Sequence, residues 1–103
     1  MIDINELRKY AKPENLLITE HARQRLIERN IKVKNIIDCI NSGEIIKQYE
    51  DDKPFPSCLI SGKTDGFYIH VVVSNTDGMI FLITAYRPDP EIWDNDFKTR
   101  RKK

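Results

Sequence analysis

Hydrophobic residues recur along this chain with two different periods. Val33, Ile36, Ile37 and Ile40 fall at i, i+3, i+4 and i+7, an apolar stripe that predicts a helix ended by Gly43. Ala22 and Leu26 mark one side of a helix that starts after Thr19, a good N-cap, and runs to about Arg29, where Asn30 stops it. Ile4, Leu7, Arg8 and Ala11 predict a short first helix from about Asp3 to Lys12, stopped by Pro13. After Gly43 the period shortens to two. Glu44–Glu50, Ser57–Lys63, Phe67–Ser74 and Met79–Arg87 read as strands. Pro54 and Pro56 hold a loop open between the first two strands. Thr64-Asp65-Gly66 and Asn75-Thr76-Asp77-Gly78 supply hairpin turns. Pro88 and Pro90 end the sheet, and Asp89–Phe97 predicts a helical turn that docks Trp93 and Phe97.

Helices first and strands afterwards predict an α+β domain. Two or three N-terminal helices would pack on a four-stranded antiparallel meander, since short connections favour strands that pair in sequence order. Residues 1–97 form one domain in this reading, and 98–103 a basic tail. The sheet face away from the helices must be partly polar or take a partner. One parity stays open. A two- or four-residue loop at Asn75–Gly78 sets His70 opposite Ile83 or Ala85 and turns Tyr86 away; a three-residue loop sets His70 and Tyr86 on one side.

Composition narrows the class. A chain of 103 residues, 40% hydrophobic and 32% charged, can bury one core and is too apolar for disorder. No apolar run reaches the roughly 18 residues of a membrane span, and the N-terminus has no signal-like apolar segment. Cys39 and Cys58 lack metal-like spacing, so a cytoplasmic location with reduced thiols is expected. The net charge is +1, yet the last six residues carry five bases and no acid, which leaves −4 for the rest. Such a tail is expected to be solvated and able to hold a phosphate backbone by charge.

The candidate chemistry starts on the second helix. Spacing of four stacks His21, Arg25 and Arg29 on one side. An imidazole beside guanidiniums fits general acid or base work on a phosphate; the plain alternative is a surface helix whose bases pair with Glu20 and Glu28. Alternation places Tyr68, His70 and Val72 on one strand face, so His70 is either part of a usable polar face or a half-buried histidine bonded to a backbone carbonyl. Glu50-Asp51-Asp52 reads better as a solvated loop than as metal ligands. Asp89, Glu91, Asp96 and Lys98 lie outside the sheet that an acid-acid-lysine nuclease motif needs. Ser57 lacks a glycine elbow.

Several stretches taken together resemble a large prokaryotic family catalogued as a domain of unknown function. They are His21-Ala22 with Arg25 and Glu28-Arg29, the helix end Ser42-Gly43, Tyr49-Glu50-Asp51-Asp52-Lys53-Pro54-Phe55-Pro56-Ser57, His70, and Tyr86-Arg87-Pro88-Asp89-Pro90-Glu91-Ile92-Trp93. Members are suggested to share the RelE-like, or BECR, ribonuclease fold and to be toxins paired with zinc-ribbon antitoxins of the MqsA type. The resemblance implies a metal-independent endoribonuclease without cofactor, in which a ribose 2′-hydroxyl attacks the adjacent phosphate. It implies catalytic roles for His21, Arg25, His70 and Tyr86 and a phosphate contact from Arg87; the helix face and the basic tail add Arg29, Lys98, Arg100 and Arg101 as expected RNA contacts. RNA and a cognate antitoxin would be the partners. The acidic body departs from the basic character common in ribosome-directed toxins. The competing expectation is a non-catalytic protein- or nucleic-acid-binding module that uses the open sheet face or edge. The enzyme reading requires His21, His70 and a guanidinium to meet in one hollow.

Overall fold

A computed structural model describes residues 1–101. Helix α1 spans Ile4–Tyr10, and a 3-10 turn at Pro13–Asn15 leads into strand β1, Leu16–Ile18. Helices α2 (Glu20–Glu28) and α3 (Val33–Ser42) follow, then β2 (Glu44–Tyr49), β3 (Ser57–Thr64), β4 (Phe67–Thr76) and β5 (Met79–Tyr86). The protein is α+β, with three helices and a five-stranded mixed sheet in the order β1-β5-β4-β3-β2. Among the described residues no helix is long and apolar enough to cross a membrane.

Local chemistry sets the helix ends. The Asp3 carboxylate accepts the Asn5 N–H at 2.9 Å, and the Thr19 hydroxyl accepts the Ala22 N–H at 3.1 Å. Asn30 takes φ 55°, the left-handed turn that releases the chain from α2. At the start of α3, buried Asn35 accepts the Lys32 N–H and donates from its amide to Thr64 and Asp65 (2.8–3.1 Å), which pins the helix to the β3–β4 turn. The first helix ends at Tyr10, two residues before the expected Lys12. The Ala11 N–H bonds only to Arg8, and Lys12 is already extended ahead of Pro13.

The helices cover one sheet face. Leu7, Leu26, Ile36, Cys39 and Ile40 meet Cys58, Ile60, Ile69, Val71, Val73, Ile80, Leu82 and Ala85 in one buried cluster. At roughly 1.5–3 kcal/mol for each fully buried large aliphatic side chain, this layer supplies most of the folding drive.

Two expectations need correction. The sheet is not a four-stranded antiparallel meander: Leu16–Ile18 adds a fifth strand, parallel to β5, with Leu16 opposite Ile80 and Ile18 opposite Leu82. Three residues are too few to show a period. The second correction concerns parity. The β4–β5 turn has two residues, Asp77 and Gly78 with φ of 46° and 77°, yet His70 lies opposite Tyr86. A bulge between the pairs Val73–Leu82 and Val72–Thr84 inserts Ile83 as an extra residue and shifts everything beyond it by one. Residues 98–101 stay exposed to solvent and end a longer segment that contacts the sheet. After Pro88 the chain folds back across the helix-free face as an irregular strap. Asp89 closes one turn by accepting the Ile92 and Trp93 N–H groups, and Trp93 bridges to Arg100. Lys98 pairs with Glu44 at 2.6 Å, and the Arg101 guanidinium donates to the Pro90 carbonyl at 2.7 Å. Lys102 and Lys103 lie outside the described residues.

Candidate functional site

His70 is the centre of the helix-free face. It is fully buried between β3, β5 and the strap. Its Nε2 lies 2.7 Å from the Phe97 carbonyl and its Nδ1 3.3 Å from the Tyr86 hydroxyl. A carbonyl only accepts, so Nε2 carries the proton and Nδ1 accepts from the phenol. Trp93 meets the imidazole at 87°, ring centres 4.6 Å apart, and Tyr86 at 68°. The Ser61 hydroxyl also donates to the Phe97 carbonyl, at 3.0 Å. Phe97 takes φ 55° to present that carbonyl to both donors, while its ring packs 4.6 Å from that of Tyr68.

This enclosure sets the electrostatics. Burial pulls the His70 imidazole below its ordinary value, partly offset by the bond to Phe97. Burial, with Tyr49 nearby, pushes the Tyr86 phenol up, and Arg100 opposes that. Neutral forms are therefore favoured on both sides of the His70–Tyr86 contact.

The α2 residues lie elsewhere. His21 is exposed in the helix layer, while His70 is enclosed on the other side of the sheet. Among the described residues His21 makes no hydrogen bond or ion pair. Arg25 lies 3.5 Å from Glu28 within its own helix. Only Arg29 reaches the sheet, donating to the Ala85 carbonyl at 2.8 Å and the Thr84 hydroxyl at 3.3 Å. The structure thus joins His70 to Tyr86 but not to His21, and the single hollow holding both imidazoles does not form.

Among the described residues the other cations expected to contact RNA have partners. Arg87 stacks 3.8 Å from the centre of the Phe67 ring, and Arg100 lies 5.6 Å from that of Trp93. Arg101 also contacts Asp94 and Asn95. The acids of the strap shape turns: Asp89 accepts the Glu91 N–H, and Asp96 those of Lys98 and Thr99. Asp52 accepts the Ser57 hydroxyl. Both thiols are buried, which pushes Cys39 and Cys58 up to about 12 and removes them as nucleophiles.

The lower half of the same face is open and apolar. Leu17 pairs with Phe81 across β1 and β5, and Phe55 and Ile83 stand beside them. Leu17, Phe55 and Ile83 are 42%, 48% and 42% exposed. Pro54, Phe55, Ser74, Phe81 and Ile83 line a hollow of about 430 Å³, rimmed by Asp52 and Lys53. Reading the sequence for polar chemistry passes over these residues. The available signal is that β5 is apolar on both faces, Ile80 and Leu82 on one and Phe81 on the other.

Comparisons with curated proteins and with solved structures give no match. A family profile does match, over residues 18–87, from the end of β1 through β5 and stopping before the strap. The chain belongs to the family described as Domain of unknown function (DUF4258).

Proposed function

We propose that this domain is a protein-binding module whose partner docks on the open half of the sheet, with His70 as a structural histidine. The observation that carries this reading is the contrast between the two halves of one face. The polar half is closed by the chain's own strap, and both His70 nitrogens are occupied. The apolar half, Leu17, Phe55, Phe81 and Ile83, has no cover among the described residues. Exposed apolar residues gathered on one sheet face mark interaction surfaces more often than single exposed side chains do.

The test has two arms. Ile83→Lys and Phe55→Ser are expected to abolish recovery of a partner that the wild-type protein retains in native extracts, while leaving the fold intact. Pure protein incubated with RNA in EDTA is expected to leave it intact. Cleavage by wild type that is lost in His21→Ala would overturn the non-catalytic reading.

A second reading has one specific observation behind it. Arg29 brings a helix-borne guanidinium to the carbonyl next to Tyr86, with Arg25 one helical turn away. In this reading the chain is a RelE-like toxin that cleaves RNA without metal by 2′-hydroxyl attack. His21 and Arg25 serve the phosphate, and a zinc-ribbon antitoxin of the MqsA type occupies the apolar face. His70 then takes part only after the strap has moved.

A further inference from the structure

We propose that the segment 88–101 is a displaceable strap, held shut by neutral His70 and released when that imidazole takes a second proton. The reading stands apart from what docks on the open half of the sheet.

The geometry makes closure conditional. The strap contains no regular element. Its grip on the sheet runs through Trp93 against the imidazole, the Phe97 ring on Tyr68, the Phe97 carbonyl on His70 and Ser61, and the exposed Lys98–Glu44 pair. Phe97 holds a left-handed conformation that a non-glycine residue adopts at a cost. The closed state uses one form of His70, with the proton on Nε2 and a free lone pair on Nδ1 facing the Tyr86 hydroxyl. A second proton goes to Nδ1. The phenol must then turn its own proton away from its present acceptor, and the imidazolium sits with no exposure to water.

The surrounding groups give a cation little help. On β5 the neighbour is Tyr86, with Tyr49 of β2 acting on it; on β3 it is the Ser61 hydroxyl. On the strap it is Arg100, beside the Trp93 ring, itself positive. Lys98, next to Phe97, is paired with Glu44. No carboxylate is hydrogen-bonded to the imidazole among the described residues. Opening the strap gives the imidazolium water instead.

The sign follows from linkage. The buried imidazole titrates below its ordinary value, so between the two values the open form binds the extra proton. The neutral imidazole contributes fully to closure above about pH 6.5. Below that the open-to-closed ratio rises by up to about tenfold per pH unit, until the closed form itself protonates.

Trp93 is the only tryptophan, so it reports on the strap directly. The experiment follows its emission and its quenching by acrylamide from pH 7.5 to pH 5, with far-UV circular dichroism recorded in parallel. The expected result is a red shift and rising quenching as pH falls, with the dichroism unchanged. His70→Gln can still donate to Phe97 and accept from Tyr86, and is expected to keep Trp93 protected throughout; His21 remains in both proteins. If His70→Gln does not fold, Tyr86→Phe, which loses the bond to neutral His70, is expected to move the transition to higher pH. A wild-type Trp93 that stays protected to pH 5 overturns the proposal. So does exposure that coincides with loss of the dichroism, the same transition in His70→Gln, or an unmoved transition in Tyr86→Phe.

Discussion

Arg29 and Ala85 tie the helix layer to the rim of the sheet. The guanidinium leaves the C-terminal end of α2 and donates to the Ala85 carbonyl at 2.8 Å, on the stretch of β5 that β1 does not reach. β1 ends at Ile18, opposite Leu82, so the outward groups of residues 83–86 have no strand partner there. An unpaired strand edge invites another strand, and Arg29 occupies it. Arg29→Ala is expected to cost about 1 kcal/mol in urea unfolding, the scale of one partly exposed charge-assisted hydrogen bond. Both bonds leave one guanidinium nitrogen, so Arg29→Lys, whose ammonium carries three donors, should restore part of the loss.

Gly43 is fixed by close approach. A Cβ there would lie 2.5 Å from the Ser61 carbonyl oxygen and 2.6 Å from that of Cys39, both backbone atoms. Arg8 holds the same corner by donating to the Ile40 and Gly43 carbonyls. Gly43→Ala therefore forces the end of α3 away from β3 and is expected to cost about 2 kcal/mol or more, read as a lowered urea midpoint. Gly66→Ala is the contrasting case. Nothing lies within 4 Å of its Cβ, and its φ of +83° is the only penalty.

The parts of this fold legible in the sequence are those that a period or a cap marks. The stripe of α3, the Thr19 cap and the Asp-Gly turns are local signals, and the structure uses them as read. The parts that were not legible depend on contacts distant in sequence. Leu16–Ile18 becomes a strand only because β5 lies alongside it. Ile83 becomes a bulge without any glycine or proline to mark it, and that residue alone puts Tyr86 on the side of His70. At the candidate site, alternation puts Tyr68, His70 and Val72 on one strand face, and that face is the helix-free one. The burial of His70 comes from Trp93 and Phe97, which the sequence marks as docking residues without showing that they dock on that side chain.

The open half of the sheet face makes a claim about stability as well as binding. Ile83 and Phe55 are about half exposed, so replacing them removes little buried area. Ile83→Lys and Phe55→Ser are expected to shift unfolding free energy by less than about 0.5 kcal/mol. They should also lower the binding of a hydrophobic dye such as ANS to the native protein. A large loss of stability would mean that these side chains belong to the core and not to a docking face.

The thiols offer a test of the core itself. Cys39 sits between α3 and the strands with its sulfur 3.8 Å from the Ile60 carbonyl, and Cys58 is fully buried on β3. With both thiols pushed up to about 12 by burial, the thiolate is negligible at neutral pH. Native protein at pH 8 is expected to react with Ellman's reagent only as fast as it unfolds, and both thiols should react at once in denaturant.

Asp65 sets part of the acid limit of stability. Its carboxylate lies at the β3–β4 turn, 3.0 Å from the Lys34 ammonium and 2.8 Å from the Asn35 amide. These two partners hold it below the ordinary carboxylate value of 3.8, and Lys34 is raised in return by Asp65 and Asp38. A carboxylate whose pKa is lower folded than unfolded stabilises the fold at pH values above its unfolded pKa. That contribution fades as pH falls through 3.8 and is gone below the folded value. Asp65→Asn keeps the left-handed turn, since asparagine tolerates φ near 50°, and retains a side-chain oxygen for Asn35. The variant is expected to be slightly less stable than wild type at pH 7 and to approach it as pH falls below 3.8, so its stability falls less steeply between pH 5 and pH 3. A constant difference between the two proteins across that range would show that the carboxylate acts only as a neutral hydrogen-bond acceptor at the turn.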